Sequence, residues 1–201
     1  MIDKMVKYGR DLYLTGLVTS HGGNMSLRID DKIMITRRGA MLGYLEFQDF
    51  VETPLDAEIP QHPLASRELI VHRAIYLNSS AQAVLHAHPP YTVALSFSTE
   101  SIKPCDSEGQ YLLPIVPVIA VADTVGSKEV AEALGLLAEQ HKIIVVRGHG
   151  TFAAGKCIEE VLQWTSILEA SCKIMHLHEL LGETVARGNG RAGAVVNGHQ
   201  T

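Results

Sequence analysis

The sequence is poor in the features that mark secreted, membrane-spanning and nucleic-acid-binding proteins. Its three cysteines, Cys105, Cys157 and Cys172, are an odd number without CxxC spacing, which argues against a disulfide framework and fits a reducing compartment. No stretch approaches about 18 uncharged apolar residues, and the amphipathic residues 1–13 lack a signal-peptide core. With a formal charge of -5 and no basic block, the chain is also a poor ligand for nucleic acid. We therefore expect a cytoplasmic protein with no membrane or nucleic-acid partner.

Hydrophobic residues make up 46% of the 201-residue chain, enough for one domain with a core buried on several sides. Apolar periodicity predicts helices over residues 3–18, 66–77, 90–98, 127–140 and 158–181. Apolar β-branched runs between them predict strands, and residues 98–112 are predicted to be a loop. Because strands and helices alternate without the rhythm of a doubly wound sheet, we expect a mixed sheet covered by helices on both faces. We place one domain at residues 1–182 and expect the glycine-rich residues 183–201 to be a flexible tail.

Two histidines end the apolar run VLHAHPP. Side chains two residues apart in a strand point to the same face, so His86 and His88 would project side by side. His149 follows another predicted strand, between two glycines that permit a sharp turn. If the two strand ends meet, three imidazoles surround one point, which is the ligand set of a catalytic zinc site with an open fourth position. Manganese, cobalt and iron(II) also accept imidazole, and the HxH pair alone is equally consistent with two surface histidines.

Three further segments combine small residues with amide, hydroxyl or guanidinium donors: HGGNMS, TRRG and ASRE. The last segment opens a predicted helix, whose N-terminal amides suit a phosphate dianion. Each segment alone is more often a turn, and Ser66 would serve equally well as a helix N-cap. Taken together, they predict an anion site beside the histidines, with these candidate residues: Asn24, Ser26, Arg38, Gly39, Ser66 and Arg67.

The ordered motifs GNMS, ITRRG, ASRE, HAHP and GHG resemble those of the class II aldolase/adducin family, especially its L-fuculose-1-phosphate aldolase branch. The resemblance covers about residues 5–182. It implies a single three-layer α/β/α catalytic domain with a central mixed, largely antiparallel sheet. It also implies a homotetramer with active sites at the subunit boundaries.

By the same resemblance, zinc is bound by His86, His88 and His149. Glu68 is implied to be a metal ligand in the empty site and the catalytic acid/base when substrate is bound. The implied phosphate pocket contains Asn24, Gly39 and Ser66.

The chain departs from the family pattern at three positions. Arg38 and Arg67 stand where a threonine and a serine are usual, and arginine keeps the affinity for anions, whether phosphate or carboxylate. Ser107 stands where the family has a tyrosine that donates a proton to a neighbouring subunit's substrate. Nearby, Tyr111 or Asp106 is our candidate for that role, and a solvated loop at an interface is the alternative.

The activity implied is metal-dependent cleavage of a ketose 1-phosphate to dihydroxyacetone phosphate and an aldehyde. The metal would act as a Lewis acid that stabilises the enediolate. Alternatives on the same scaffold are methylthioribulose-1-phosphate dehydratases, sugar-phosphate 4-epimerases, which carry aspartate at the position of Glu68, and decarboxylases of non-phosphorylated acids. A non-catalytic adducin-like binding module is disfavoured because all three histidines and the glutamate are present.

Overall fold

The structure is a computed structural model that describes residues 1–56, 58, 60 and 62–192, with side chains described as far as Gly182. The described strands form one mixed sheet in the order β3-β2-β1-β4-β8-β7-β6-β5, in which β6 and β7 are parallel and all other neighbours antiparallel. The strands are β1 Asn24–Ile29, β2 Lys32–Thr36, β3 Phe50–Pro54, β4 Ala83–Ala87, β5 Ser101–Ile102, β6 Val116–Ile119, β7 Ile143–Val146 and β8 Gly150–Gly155. The helices are α1 Ile2–Leu14, α2 Leu69–Leu77, α3 Pro90–Ser96, α4 Ser107–Leu112, α5 Lys128–Leu137 and α6 Ile158–Ala192.

A hydrophobic core lies on each face of the sheet. In β4, Leu85 packs into the core that includes residues of α1 and α6, whereas Val84 packs into the core shared with α2 and α5. The apolar run of β7 alternates in the same way, with Val145 and Val146 in opposite cores. Central strands buried on both faces are expected to be continuously apolar, as these are. The predicted mixed sheet with helices on both faces is confirmed.

The structure corrects two predictions of secondary structure, one for residues 98–112 and one for the end of the first helix. Residues 98–112, predicted to be a loop, contain β5 and α4. Asp106 caps α4 by accepting a hydrogen bond from the Gly109 amide at 2.9 Å, so a capping residue was mistaken for part of a loop. The first helix ends at Leu14 rather than residue 18, because Gly16 takes a left-handed φ of 74°.

The last helix runs past its predicted end at residue 181. It continues to Ala192 and includes Gly182. A glycine ends a helix when its backbone turns left-handed, and Gly182 is not among the positive-φ glycines of the described chain. Residues 183–192 are therefore helical, residues 193–201 lie outside the described residues, and the flexible tail at 183–201 stays a prediction. Among the described helices, none is long and apolar enough to cross a membrane.

Candidate metal centre and active site

Antiparallel pairing brings the predicted site segments to one edge of the sheet. The carboxyl end of β4 lies beside the start of β8, with Ala87 opposite Thr151. The start of β1 lies on the other side of β4, with Asn24 opposite His86. His88 directly follows β4 and His149 directly precedes β8. All three histidines and the first anion segment therefore meet at this edge.

The three imidazoles form a compact cluster. Ring centroids are 4.6 Å apart for His86 and His88, 4.6 Å for His86 and His149, and 5.2 Å for His88 and His149. One ring nitrogen from each lies within 4.8 Å of the other two. These three residues are thus brought together as predicted and could hold a metal ion.

Neighbouring groups orient the most buried of these rings. The Nδ1 of His86 lies 2.9 Å from the backbone oxygen of Thr151, and because a carbonyl can only accept, Nδ1 carries the proton. This leaves Nε2 of His86 with its lone pair toward the cluster, as metal-binding histidines require. Phe152 stacks on the same ring at 4.1 Å between centroids. The tautomer and the plane of His86 are therefore both fixed by β8.

The electrostatic environment keeps the cluster neutral. Burial lowers the pKa of His88 to about 4 and also lowers the pKa of His149, while that of His86 falls well below its ordinary value. The neighbouring histidines lower the pKa of His86 and His88 further. A neutral imidazole is the metal-binding form, so at neutral pH these ligands need not lose a proton to bind a cation.

Glycines on both sides leave room for His88. A Cβ on Gly150 would lie 2.3 Å from the backbone oxygen of Ala87 and 2.7 Å from Cδ2 of His88. A Cβ on Gly22 would lie 2.8 Å from Nδ1 of His88. Glycines of the GG and GHG motifs therefore pack against a ring of the histidine cluster.

Glu68 lies beside the cluster, immediately before α2, and is buried at 3% exposure. Its Oε1 accepts a hydrogen bond from the Gly126 amide at 3.0 Å and lies 4.0 Å from Nε2 of His149. Its Oε2 is buried and has no hydrogen-bond partner among the described residues. Burial raises the pKa of Glu68 to about 7, which the Gly126 hydrogen bond opposes and the charge of Asp123 reinforces. A carboxyl group with one unpartnered oxygen can therefore gain or lose a proton near neutral pH.

A cavity of about 180 Å³ joins the histidines and Glu68 to the predicted anion segments. It is lined by, among others, Asn24, Arg38, Gly39, Ser66 and Arg67. A larger cavity of about 440 Å³ lies between α3 and α6, but its lining is largely apolar. The smaller cavity is the candidate active site because its polar groups converge.

The cavity carries unneutralised positive charge. Arg37 is not free, since its Nε donates to Asp49 at 2.7 Å. The guanidinium groups of Arg38 and Arg67 are exposed and have no ion pair or hydrogen bond within the part of the chain that the structure describes. Two unpaired guanidinium groups match the charge of a phosphate dianion.

Ser26 does not lie in the cavity, which corrects its predicted place in the phosphate pocket. It follows Asn24 by two residues on the same face of β1, so it lies roughly 6.6 Å further from the sheet edge. It is fully buried, and its hydroxyl is 2.7 Å from Nδ1 of His72 and 2.8 Å from the hydroxyl of Tyr76. Sequence reasoning missed this buried polar network, since nothing in the local pattern links β1 to α2.

The two candidate proton donors also lie outside the cavity of their own chain. Asp106 caps α4, and Tyr111 is 84% exposed in the same helix. Ser107, which occupies the family's tyrosine position, is the first residue of α4. The structure does not bring Asp106 or Tyr111 to Glu68, and their catalytic role stays a prediction.

The sequence model of one protein family, described as the Class II Aldolase and Adducin N-terminal domain, matches residues 3–176. The chain belongs to this family. The resemblance carried by the ordered motifs is thereby confirmed, and the candidate site consists of motif residues of a class II aldolase-type domain.

Individual relatives of this chain are named for different activities. An L-fuculose phosphate aldolase of Methanococcus maripaludis is 32% identical over 88% of this chain and 96% of its own length. A 3-oxo-tetronate 4-phosphate decarboxylase of Pectobacterium atrosepticum is 28% identical over 87% of this chain and 83% of its own. The crystal structure of L-fuculose-1-phosphate aldolase from Thermus thermophilus superposes with a TM-score of 0.86 at 34% identity, covering 90% of this chain and 95% of that one.

We predict that His149→Ala abolishes stoichiometric metal binding and activity together, because it removes one of three clustered nitrogen ligands. Metal content after dialysis, measured by atomic absorption, checks this. The control is His178→Ala, which removes an exposed histidine of α6 outside the cluster and should keep the metal. A His149→Ala protein with a full complement of metal would show that the ligand set is wrong.

Proposed function

We propose that this protein is a zinc-dependent class II aldolase that cleaves a ketose 1-phosphate to dihydroxyacetone phosphate and an aldehyde. The observation that carries the proposal is the single cavity in which three histidines, Glu68 and the unpaired Arg38 and Arg67 converge. Such a cleavage requires charge stabilisation at the substrate carbonyl, a group that moves a proton and an anchor for the phosphate. Similarity to proteins named L-fuculose phosphate aldolase supports it.

The residues present suit zinc, with manganese, cobalt or iron(II) as alternatives. His86, His88 and His149 would hold the ion through neutral nitrogens, and the unpartnered Oε2 of Glu68 offers a further ligand before substrate enters. When bound, the ion supplies Lewis acidity that stabilises negative charge developing on the substrate oxygens.

In the proposed reaction, Glu68 gives a proton to C3 of the ketose, the carbon that becomes negatively charged when the C3–C4 bond breaks. Its Oε1 is held by the Gly126 amide, so Oε2 is the atom left to carry the proton. A pKa of about 7 allows this carboxyl group to donate and accept near neutral pH. Burial also keeps bulk water from its unpartnered oxygen.

The anion segments bind the substrate's phosphate in this proposal. Asn24, Gly39 and Ser66 provide hydrogen bonds, and Arg38 and Arg67 neutralise the dianion. Fixing the phosphate at one end of the cavity holds the reacting carbons beside Glu68.

A further group must exchange a proton with the C4 oxygen, and our candidates Asp106 and Tyr111 lie outside the cavity of their own chain. We assign this role to Tyr111 or Asp106 of a second copy, in a homotetramer with sites at the subunit interfaces. The exposed position of Tyr111 supports this arrangement. The substrate is a small phosphorylated sugar, and the proposed location is the cytoplasm.

A second candidate is decarboxylation of a phosphorylated 3-oxo acid. It is favoured by the similarity to the Pectobacterium atrosepticum protein named 3-oxo-tetronate 4-phosphate decarboxylase. The same cavity would serve, since this reaction also leaves negative charge on a carbon next to a carbonyl.

The test is release of dihydroxyacetone phosphate from a panel of ketose 1-phosphates, with metal-loaded protein and again after chelation. We expect release from at least one member, lost with the metal and restored by zinc. Carbon dioxide release from a phosphorylated 3-oxo acid, without dihydroxyacetone phosphate from any ketose, would replace the aldolase with the decarboxylase. No product from either series would exclude both.

We predict that Glu68→Gln lowers proton exchange at the hydroxymethyl carbon of dihydroxyacetone phosphate by about 100-fold to 10,000-fold, because the amide cannot act as a general base. The measurement is solvent deuterium incorporation followed by NMR, together with metal content, which should be retained. Glu139→Gln is the control, since Glu139 also accepts a backbone amide hydrogen bond, from Ser80, but at the opposite end of β4. Full exchange activity in Glu68→Gln would remove the assigned role.

We predict that Arg67→Ala raises the inhibition constant of inorganic phosphate, a competitive inhibitor, by about tenfold or more. The reason is that a charge-assisted hydrogen bond to the dianion is lost. Arg10→Ala, at an exposed arginine of α1 outside the cavity, is the control and should leave inhibition unchanged. Unchanged inhibition in Arg67→Ala would remove this residue from the phosphate site.

A further inference from the structure

The short helix α3 connects the two less buried histidines of the candidate metal centre. It begins at Pro90, two residues after His88, and its last residue, Ser96, reaches the turn that carries His149. The α3 helix therefore contacts the polypeptide next to two ligands from different strands.

The turn that carries His149 is a tight β-hairpin. Residues 147–149 join β7 to β8, Val146 pairs with Gly150, and the His149 amide donates to the Val146 oxygen at 3.0 Å. Gly148 has a φ of 69° at the third position of this turn, the left-handed backbone that a type II turn requires and glycine adopts readily. The tip of a hairpin lies beyond its last strand pair and is held only by what packs against it. The direction of the His149 side chain therefore depends on the contacts that hold this turn in place.

Ser96 holds the turn in place by a direct hydrogen bond. It is fully buried, and its hydroxyl donates to the Val93 oxygen at 2.7 Å and accepts a hydrogen bond from the Gly148 amide at 3.0 Å. The amide it holds belongs to the residue immediately before His149. Because the hydroxyl is anchored within its own helix, it places the turn relative to α3.

Arg147 makes further hydrogen bonds between the turn and the same end of α3. Its Nε donates to the Ser96 backbone oxygen at 3.0 Å, and its Nη2 donates to the Thr99 oxygen at 3.1 Å. These carbonyls lie at and beyond the C-terminus of α3, where backbone oxygens lack intrahelical partners. Turn and helix are thus joined by side chains from both sides.

The other end of α3 is also fixed. Glu169 of α6 accepts hydrogen bonds from the amides of Tyr91 and Thr92, both at 2.9 Å. Pro89 and Pro90 restrict the backbone φ between His88 and this anchored turn. A helix held at both ends cannot shift along the sheet without moving His88.

We propose that Ser96 is a positioning residue for His149. It acts through its hydrogen bond with the Gly148 amide, and Arg147 holds the same turn through its hydrogen bonds to the Ser96 and Thr99 oxygens. The proposal rests on the proposed function, because it requires the three histidines to bind a metal. It assigns a role to residues outside the cavity that Glu68 and the anion segments line.

The test compares Ser96→Ala with Ser98→Ala. Ser98 is a matched control, since its hydroxyl also donates to a carbonyl three residues earlier, at 3.0 Å, but it lies at an exposed position and holds no turn amide. Zinc affinity is measured by competition with a chromophoric chelator, and the visible spectrum of the cobalt(II) form reports ligand geometry. We expect Ser96→Ala to bind zinc about tenfold or more weakly with an altered cobalt spectrum, and Ser98→Ala to match the wild type.

Thermal unfolding of the metal-free proteins distinguishes positioning from general stability. If Ser96→Ala lowers the melting temperature but keeps wild-type zinc affinity and cobalt spectrum, the inference is overturned and Ser96 is only structural. If that variant does not fold, Arg147→Met decides in its place, because methionine keeps an unbranched side chain but has no donor for the Ser96 and Thr99 oxygens. A wild-type protein that binds neither metal overturns the proposed metal centre and this inference together, whereas normal binding by both wild type and variant overturns the inference alone.

Discussion

The register between β4 and β8 is the constraint on which the rest of the site depends. Because Ala87 lies opposite Thr151, the residues just beyond the two strand ends, His88 and His149, meet at one edge. The same pairing places the Thr151 carbonyl where it accepts the proton of His86 Nδ1. A shift of one residue would turn His86 to the opposite face of the sheet, since side chains alternate. Ligand identity, tautomer and spacing therefore all follow from one strand pair.

The buried polar groups of the site oppose stability. Glu68 Oε2 and Asn24 Oδ1 are buried and have no hydrogen-bond partner among the described residues. An unsatisfied buried polar group costs about 1–3 kcal/mol. The two cores that cover the sheet offset this cost, since the strands that carry the site are buried on both faces. The molecule thus holds its polar edge in place with apolar contacts made elsewhere, as expected where a site conflicts with local stability rules.

The sequence predicted those features that depend on local spacing. The same-face placement of His86 and His88 follows from the two-residue period of a strand, and the three-layer fold follows from the ordered motifs and the alternation of elements. The burial of Ser26 outside the cavity was not predictable, because it depends on which residue of β1 pairs with His86 at the sheet edge. Nor was the end of α6, because composition does not reveal which glycines turn left-handed. The contact between Ser96 and the His149 turn joins residues 52 apart and has no local signal.

The choice between the two candidate reactions depends on a proton at the substrate's second reacting centre. Aldol cleavage must remove a proton from the C4 hydroxyl as the aldehyde leaves. In decarboxylation, the substrate's carboxylate departs as carbon dioxide, and no proton has to be removed from it. Within one chain, the cavity provides Glu68 for the carbon that becomes negatively charged, while Asp106 and Tyr111 lie outside it. On our proposal a second copy supplies the missing group. If that proposal holds, the reaction and the assembly of the chains are one question, because the proposed subunit interface would determine whether a C4 hydroxyl meets a base.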